Sequence, residues 1–294
     1  MGQRSRRKAA FLAKHPLCCF CGGLTPAMTE DHVPARSIFD GRDWPKGYSF
    51  PACDACNRLT REEENVLAFL SRINPGPGEL TELQKLESRQ FMASMRRNYP
   101  KAFELLAPSA NQVRRFLKDA EVTRPPGKLL RDVPLMSFGQ PEFVTPIKNF
   151  GIKLFCALHY MHTGSIAPAG ATVSIRFVTN VQLLRGALPD EIFHILGGRH
   201  VVERGKNDLQ EQFSYIYGVS AERDLSAYVC KFRASFVLIG IVTTTNCRAN
   251  SMRILSTVHS GALPSSRQQP SGNRIRTDAA SPCGRIQRPV DQQR

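Results

Sequence analysis

Apolar side chains recur at helical spacing after residue 60. Thr60 and Glu63 lie three residues apart, the spacing of an N-terminal capping box. The residues that follow would place one apolar face on a helix, formed by Val66, Leu67, Leu70 and Ile73. The stretch NPGPG at 74–78 then breaks regular structure. The pattern predicts a helix that closes a segment ending near residue 73.

A second helical pattern occupies residues 79–121. Its apolar spacing is set by Leu80, Leu83, Leu86 and Phe91. Pro100 and Pro108 interrupt the pattern, and proline is a strong breaker inside a helix. The sequence therefore predicts two or three helices in this region.

Beyond the Pro-Pro pair at 125–126 the pattern becomes mixed. An amphipathic helix is predicted around 146–162, and three segments have strand-like composition: 171–178, 211–219 and 227–242. These elements predict an antiparallel sheet with packed helices, and the fold class is therefore α+β. The longest apolar run, 236–242, is far shorter than the roughly 20 residues that span a bilayer, so no membrane contact is expected.

These changes of pattern divide the chain into five parts. They are a basic N-terminal arm at 1–14, a compact cysteine-bearing module at 15–73, a helical segment at 79–124, an α+β region of unknown role at 125–244 and a basic tail at 245–294. The tail has no Phe, Trp or Tyr and is dominated by Ser, Arg, Gln and Pro, so we expect it to be disordered.

The formal charge of +15 is concentrated at the ends of the chain. Residues 1–16 carry five basic and no acidic side chains, and residues 245–294 carry eight basic and two acidic ones. This distribution is compatible with a polyanionic partner, which would be bound through its phosphates, and equally with solvated basic tails. Charge alone leaves both interpretations open.

Nine cysteines include two CxxC pairs, Cys18 with Cys21 and Cys53 with Cys56. Without a signal-peptide core at the N-terminus we expect a reducing cytoplasm, where clustered thiols are more often metal ligands than disulfides. Two such pairs supply the four thiolates of a structural Zn²⁺ site. Redox thiols and chance pairing are the alternatives. Cys19 is then left over.

Gly22 suits the left-handed turn that a CxxC knuckle needs. The other four cysteines have no partner at ligand spacing and are expected to be core or tail residues: Cys156, Cys230, Cys247 and Cys283. His159 and His162 lie three residues apart on the predicted helix, but no HExxH glutamate accompanies them. We expect them to be core or surface histidines rather than a second metal site.

The strings EDHVPARSIF and FPACDACN, with one CxxC before them and one inside them, resemble the HNH or His-Me finger endonucleases. The similarity is to the four-cysteine type represented by phage recombination endonuclease VII and by bacterial HNH proteins. It covers about residues 18–73. It implies a zinc-bound ββα-metal finger at the N-terminus, with Asp31 and His32 on the first strand and a helix that starts near Asn57.

The resemblance also implies roles for these residues. His32 would be the general base that activates water, since an imidazole with a pKa of about 6.5 suits proton transfer at neutral pH. Asp31 and Asn57 would hold one Mg²⁺ or Mn²⁺ ion through oxygen, at a helix N-terminus that favours phosphate. Adjacent side chains on a strand point to opposite faces, so Asp31 and His32 should have different partners. The substrate would be nucleic acid, with DNA expected from the family.

One position departs from the family, because Tyr48 stands where many HNH sequences have an asparagine that braces the histidine loop. Two other functions therefore stay open. One is a catalytically inactive zinc module that binds nucleic acid, and the other is a scaffold for protein interactions. Metal-dependent nicking would separate the nuclease from the first, and salt-sensitive binding of nucleic acid would separate the first from the second.

Basic side chains near the proposed site are candidate phosphate ligands: Arg36, Arg42, Lys46, Arg58 and Arg61. Among them Arg58 and Arg61 flank the second knuckle and the helix start. Each alone is equally typical of a solvated surface. Trp44 and Tyr48 would either stack on a base or fill the small core. The acidic run Glu62, Glu63 and Glu64 suits a helix N-terminus first, and additional metal ligands only second.

Overall fold

The computed structural model describes residues 2–74, 79–119, 121, 123, 126–127, 129–130, 135–184 and 196–245. The tail predicted to be disordered lies outside this range apart from Thr245, and so do Cys247 and Cys283. Most of the breaker predicted at 74–78 lies outside it as well.

The described residues form helices and strands in the mixed arrangement that the sequence predicts. The helices are α1 (Gln3–Lys14), α2 (Asp54–Leu59), α3 (Arg61–Ser71), α4 (Glu82–Asn98), α5 (Pro100–Glu104), α6 (Ala110–Asp119), α7 (Pro141–Thr163) and α8 (Asn180–Leu184). The strands are β1 (Thr29–His32), β2 (Ser49–Ala52), β3 (Thr172–Thr179), β4 (Gly198–Arg199), β5 (Glu203–Arg204), β6 (Asn207–Asp208), β7 (Phe213–Val219), β8 (Leu225–Phe232) and β9 (Phe236–Thr243).

The predicted antiparallel sheet contains five strands in the order β3-β9-β8-β7-β4. The long strand-like run at 227–242 folds back on itself, so that Phe232 and Phe236 pair across the turn between β8 and β9. Their rings stack 4.8 Å apart. One alternating pattern therefore supplies two neighbouring strands.

Helix α7 lies on one face of this sheet and is buried along most of its length. Gly240 on β9 allows the contact, because a Cβ atom there would lie 2.2 Å from the ring of Phe155 on α7. The helix begins earlier than the predicted range of 146–162, at Pro141. Proline is well tolerated at the first helical position, since its missing N–H would have no helical partner there.

A smaller antiparallel pair, β1 and β2, precedes α2 and α3. The apolar face predicted for α3 is buried, including Val66, Leu67 and Leu70. The predicted capping box is wrong. Thr60 caps α3 without a side-chain bond to the helix backbone, because its φ of −108° and ψ of 16° are not extended and its hydroxyl bonds elsewhere.

The segment predicted as two or three helices contains α4, α5 and α6. Two of the four apolar positions on which that prediction rested, Leu83 and Leu86, are exposed. Helix α4 reaches the core through Met95, with Phe91 and Met92 partly buried beside it. Packing near the end of the helix therefore decides its buried face. In the described part of the chain, no helix is long and apolar enough to cross a bilayer.

Candidate functional site

The sulfur atoms of Cys18, Cys21, Cys53 and Cys56 converge, all within 4.8 Å of one another. Cys18 and Cys21 come from the loop before β1, Cys53 lies between β2 and α2, and Cys56 lies in the first turn of α2. Tetrahedral zinc with Zn–S bonds of about 2.3 Å needs sulfurs about 3.8 Å apart, so the spacing suits such an ion after small adjustments. The four-cysteine cluster could thus bind a metal such as zinc.

Local backbone geometry turns each pair inward. Gly22 has a φ of +71°, and a Cβ atom on it would lie 2.3 Å from the backbone nitrogen of Ala169. Both the left-handed conformation and the close approach require glycine here, as predicted for the knuckle. In the second pair, the sulfur of Cys53 accepts a hydrogen bond from the Cys56 amide at 3.5 Å and caps α2.

The thiols differ in acidity. Hydrogen bonding by Cys56 lowers the pKa of Cys18 to about 4, and the same bond raises the pKa of Cys56. Burial raises the pKa of Cys19, which is outside the cluster and 1% exposed, as its assignment to the core predicts. The predicted core positions of Cys156 and Cys230 are also confirmed, since both are buried.

Asp31 and His32 are neighbours on β1 that contact different parts of the molecule. Asp31 pairs in register with Phe50 and His32 with Ser49. The carboxylate of Asp31 is buried against α7, whereas His32 is half-buried among side chains of the loops. The expectation of different partners is therefore confirmed, and it follows from strand alternation.

Both ring nitrogens of His32 have polar partners. Nδ1 lies 3.1 Å from Ser49 Oγ, and Nε2 accepts from a guanidinium nitrogen of Arg36. A guanidinium only donates, so Nε2 carries the lone pair and the proton is assigned to Nδ1. Burial, followed by the charges of Arg36, Arg204 and Arg7, lowers the pKa of His32 to about 4. The imidazole is thus neutral at pH 7.

Trp44 holds two of these cations beside the histidine. The guanidinium of Arg36 lies 3.6 Å from the centre of its ring, and that of Arg204 lies 4.1 Å away. Arg204 is further fixed by Asp43, at 2.5 Å, and by the Trp44 carbonyl, at 3.0 Å. Cation–π contacts of this kind orient a guanidinium without neutralising its charge. The surface around His32 is therefore basic.

The Asp31 carboxylate belongs to a buried group that we call the Asp31 cluster, made of Asp31, Asn57, Thr60, Glu64 and Lys153. The Lys153 ammonium lies 2.7 Å from Asp31 Oδ2, from Glu64 Oε1 and from Thr60 Oγ1. With its nitrogen turned toward the carboxylate, the Asn57 amide donates to both Asp31 oxygens at 3.3 Å. The predicted ligands Asp31 and Asn57 are thus adjacent.

Within this cluster the single ammonium of Lys153 faces the two carboxylates of Asp31 and Glu64. Burial opposes the Lys153 charge, but Asp31 and Glu64 outweigh it and hold the pKa of Lys153 above its ordinary value. Burial also raises the pKa of Asp31 against the opposing effect of Lys153. Lys153 belongs to α7 and is 4% exposed, so the pair is shielded from water.

Other predicted residues have different surroundings. Asn57 is the fourth residue of α2 and lies in its first turn, where its N–H bonds to the Cys53 carbonyl, so the helix starts three residues before the predicted position near Asn57. Arg58 and Arg61 are exposed, and Arg58 lies 3.8 Å from Asp54 on its own helix. Tyr48 is buried in the core rather than available for stacking.

The two histidines of α7 take the core role expected of them. His159 is buried and lies 2.8 Å from Ser226 Oγ, and His162 stacks on Tyr217 with ring centres 3.7 Å apart. These contacts join α7 to the sheet, so both side chains have structural partners.

Sequence reasoning missed Lys153, Arg204 and the hydroxyl of Ser49. A signal existed for Lys153 only, since a lysine inside the apolar run GIKLFCALHY is unusual unless it is paired. Arg204 and Ser49 have ordinary surface sequence contexts. Comparison with protein-family models, curated proteins and solved structures found no match to this chain.

Proposed function

We propose that this protein is a zinc-stabilised endonuclease of the HNH type, which hydrolyses phosphodiester bonds in nucleic acid, with DNA as the expected substrate. The observation that carries the proposal is the neutral imidazole of His32, whose Nε2 lone pair faces a basic surface. A base of this kind beside several arginines suits a reaction on a phosphate anion.

The surrounding cations would bind the substrate. The guanidinium groups of Arg36 and Arg204 both lie against the Trp44 ring, and the charge of Arg7 on α1 also lowers the pKa of His32. A phosphate that reaches this surface competes with Nε2 for the Arg36 guanidinium. Moving Arg36 to the phosphate oxygens uncovers the Nε2 lone pair at the moment that an anion is present.

The chemistry at His32 is then general-base catalysis. Water donates its proton to Nε2 while its oxygen forms a bond to phosphorus, and the bond from phosphorus to the 3′ oxygen breaks. The leaving oxygen takes a proton from solvent. The Nδ1 proton remains directed at Ser49 Oγ, which supports the imidazolium that forms.

Zinc fits the four-cysteine cluster as a structural ion. Cys18, Cys21, Cys53 and Cys56 would hold it, and its contribution is to fix the loops on either side of the β1–β2 pair. A small hairpin and helix bury little apolar area alone, so a metal crosslink would supply much of their stability.

A catalytic Mg²⁺ or Mn²⁺ ion does not fit the Asp31 cluster as it stands. Such an ion needs free oxygen ligands at about 2.1 Å and near-octahedral geometry. Asp31 Oδ2 and Glu64 Oε1 are each bonded to the Lys153 ammonium, at 2.7 Å. We therefore assign no catalytic step to a divalent ion.

A specific observation favours the second candidate, a non-catalytic zinc module that binds nucleic acid. Arg36 covers Nε2 of His32, the atom that would accept the proton. If Arg36 stays there when nucleic acid binds, the basic surface binds phosphates and His32 only positions the arginine.

The test is cleavage of supercoiled plasmid by the zinc-loaded full chain and by His32→Ala. We expect the variant to bind DNA normally and to cleave roughly 10²- to 10⁴-fold more slowly, the usual contribution of a positioned base. His200→Ala is the control, since its ring lies against Tyr215 in the sheet. Salt-sensitive binding by a parent that does not cleave would favour the second candidate, and equal cleavage by His32→Ala would exclude the proposed mechanism.

A further inference from the structure

Lys153 lies among the side chains that the family resemblance assigns to a divalent cation. Lys153 belongs to α7, and its three acceptors lie outside that helix. Asp31 is on β1, Glu64 is on α3, and Thr60 lies between α2 and α3. Lys153 thus connects β1, α3 and the residue between α2 and α3 to helix α7.

The ammonium group makes its full set of hydrogen bonds. Lysine has three N–H donors, and each of the three oxygen acceptors lies 2.7 Å from Nζ. The ring of Phe20, in the first knuckle, covers another side with its centre 5.6 Å from Nζ. An ammonium enclosed by oxygens and an aromatic face occupies the place of a small hard cation.

The charges of the cluster also suit a lysine rather than a metal. Asp31 and Glu64 provide the anions that a divalent ion would otherwise bind, and both are largely buried against Lys153. When the Asn57 amide is turned with its nitrogen toward Asp31, it donates to both oxygens of a carboxylate already bound to one cation. A second cation at Asp31 would have to displace Lys153.

We propose that Lys153 is the resident cation of the Asp31 cluster, so that the protein binds no divalent ion there and its reaction does not depend on one. The second part rests on the proposed nuclease function, and the first part does not. Lys153 is a positioning residue, because it contacts Asp31 and Glu64 rather than the substrate. Positive charge at the phosphate would come from Arg36 and Arg204 instead.

Binding of Mn²⁺ to zinc-loaded protein, measured by electron paramagnetic resonance without nucleic acid, tests the first part. Thiolates prefer zinc to Mn²⁺, so the four-cysteine cluster should not interfere. The parent should bind no Mn²⁺ at Asp31. Lys153→Ala should gain one site, because Asp31, Glu64 and Thr60 then offer oxygens around the space left by the ammonium, and Asn57 needs only an amide rotation to add another.

Lys153→Ala should also be stabilised by Mn²⁺, with a melting temperature roughly 5–10 °C higher at about 100 times Kd. The double variant Lys153→Ala with Asp31→Asn should lose both effects. A parent that binds one Mn²⁺, and loses it in Asp31→Asn, would overturn the proposal. So would a folded Lys153→Ala that binds none. If Lys153→Ala does not fold, the parent and its Asp31→Asn variant still decide the question.

Plasmid cleavage in buffer without divalent ions tests the second part. Cleavage by the parent that is unchanged by added Mg²⁺ supports it, and cleavage that requires Mg²⁺ overturns it while leaving the nuclease function intact. Absence of cleavage under both conditions would remove the nuclease function, and the Mn²⁺ measurement would still decide whether Lys153 is the resident cation.

Discussion

The four-cysteine cluster and the Asp31 cluster both gather anionic side chains that bind metals, but only the second contains a cation of its own. In the first, three thiols from loops and a fourth from α2, that of Cys56, lie within 4.8 Å of one another. The carboxylates of Asp31 and Glu64 converge on Lys153. The thiols and both carboxylates belong to one segment of the chain, and the ammonium of Lys153 is added from α7.

A set of ligand side chains therefore does not define a metal site until the neighbouring charges are known. Soft thiolates with no competing cation favour zinc. Carboxylate and amide oxygens favour Mg²⁺ only when no fixed ammonium lies within hydrogen-bond distance of them. The predictions below test whether each cluster depends on its own kind of cation.

Removing one thiol of the four-cysteine cluster should have the largest effect. Cys53→Ala should lose the metal and unfold the segment around β1 and β2, because zinc binding in small sites of this type contributes roughly 10–16 kcal/mol. Cys19→Ala is the matched control, a buried thiol of the same segment that lies outside the cluster. Zinc content after dialysis is the measurement. If Cys19→Ala lost zinc while Cys53→Ala kept it, the wrong thiols would have been assigned to the metal.

Removing the internal cation should come next. Lys153→Met leaves Asp31 and Glu64 buried without their partner and should cost roughly 3–5 kcal/mol in the free energy of unfolding. Lys148→Met, an exposed lysine of the same helix, should change it by less than about 0.5 kcal/mol. Urea denaturation of zinc-loaded protein measures both. If both substitutions lowered the free energy of unfolding by the same small amount, water would enter the Asp31 cluster and screen its charges.

The sequence predicts those parts of the site that depend on local spacing. The CxxC pairs, the turn at Gly22 and the opposite faces of Asp31 and His32 all follow from residues within a few positions of one another. The buried face of α3 follows for the same reason. In each case the local backbone conformation alone sets the direction of the side chains.

The sequence does not predict contacts that the packing of α7 creates. Lys153 is more than a hundred positions from Asp31, and only tertiary structure brings them together. The same contact explains the failed capping box, since Lys153 and Glu64 take the Thr60 hydroxyl away from the helix backbone. On α4 the exposed Leu83 and Leu86 show the same limit, because their spacing is helical while the core contacts lie further along the helix.

A smaller effect is expected at Gly22, in the turn that contains Cys18 and Cys21. Gly22→Ala should destabilise the protein more than Gly164→Ala. Both glycines have a positive φ, which costs alanine roughly 1–2 kcal/mol, but only at Gly22 would a Cβ atom strike the backbone of Ala169. Urea unfolding with zinc bound measures the difference. Equal costs would show that the Ala169 loop moves aside freely.

The smallest effect should come from Ser49, on the side of β1 opposite the Asp31 cluster. Ser49→Ala removes one hydrogen bond to His32 Nδ1 and should cost roughly 0.5–1.5 kcal/mol in the free energy of unfolding. The His32 tautomer should not change, because the Arg36 guanidinium still requires a lone pair on Nε2. Nitrogen-15 NMR of the ring would show the proton on Nδ1 in both proteins. In Arg36→Ala that requirement is removed, and we expect the Nε2–H tautomer to become populated. A parent protein with its proton on Nε2 would instead mean that Arg36 does not donate to His32. The proposed base would then lack the hydrogen bond that keeps its lone pair on Nε2.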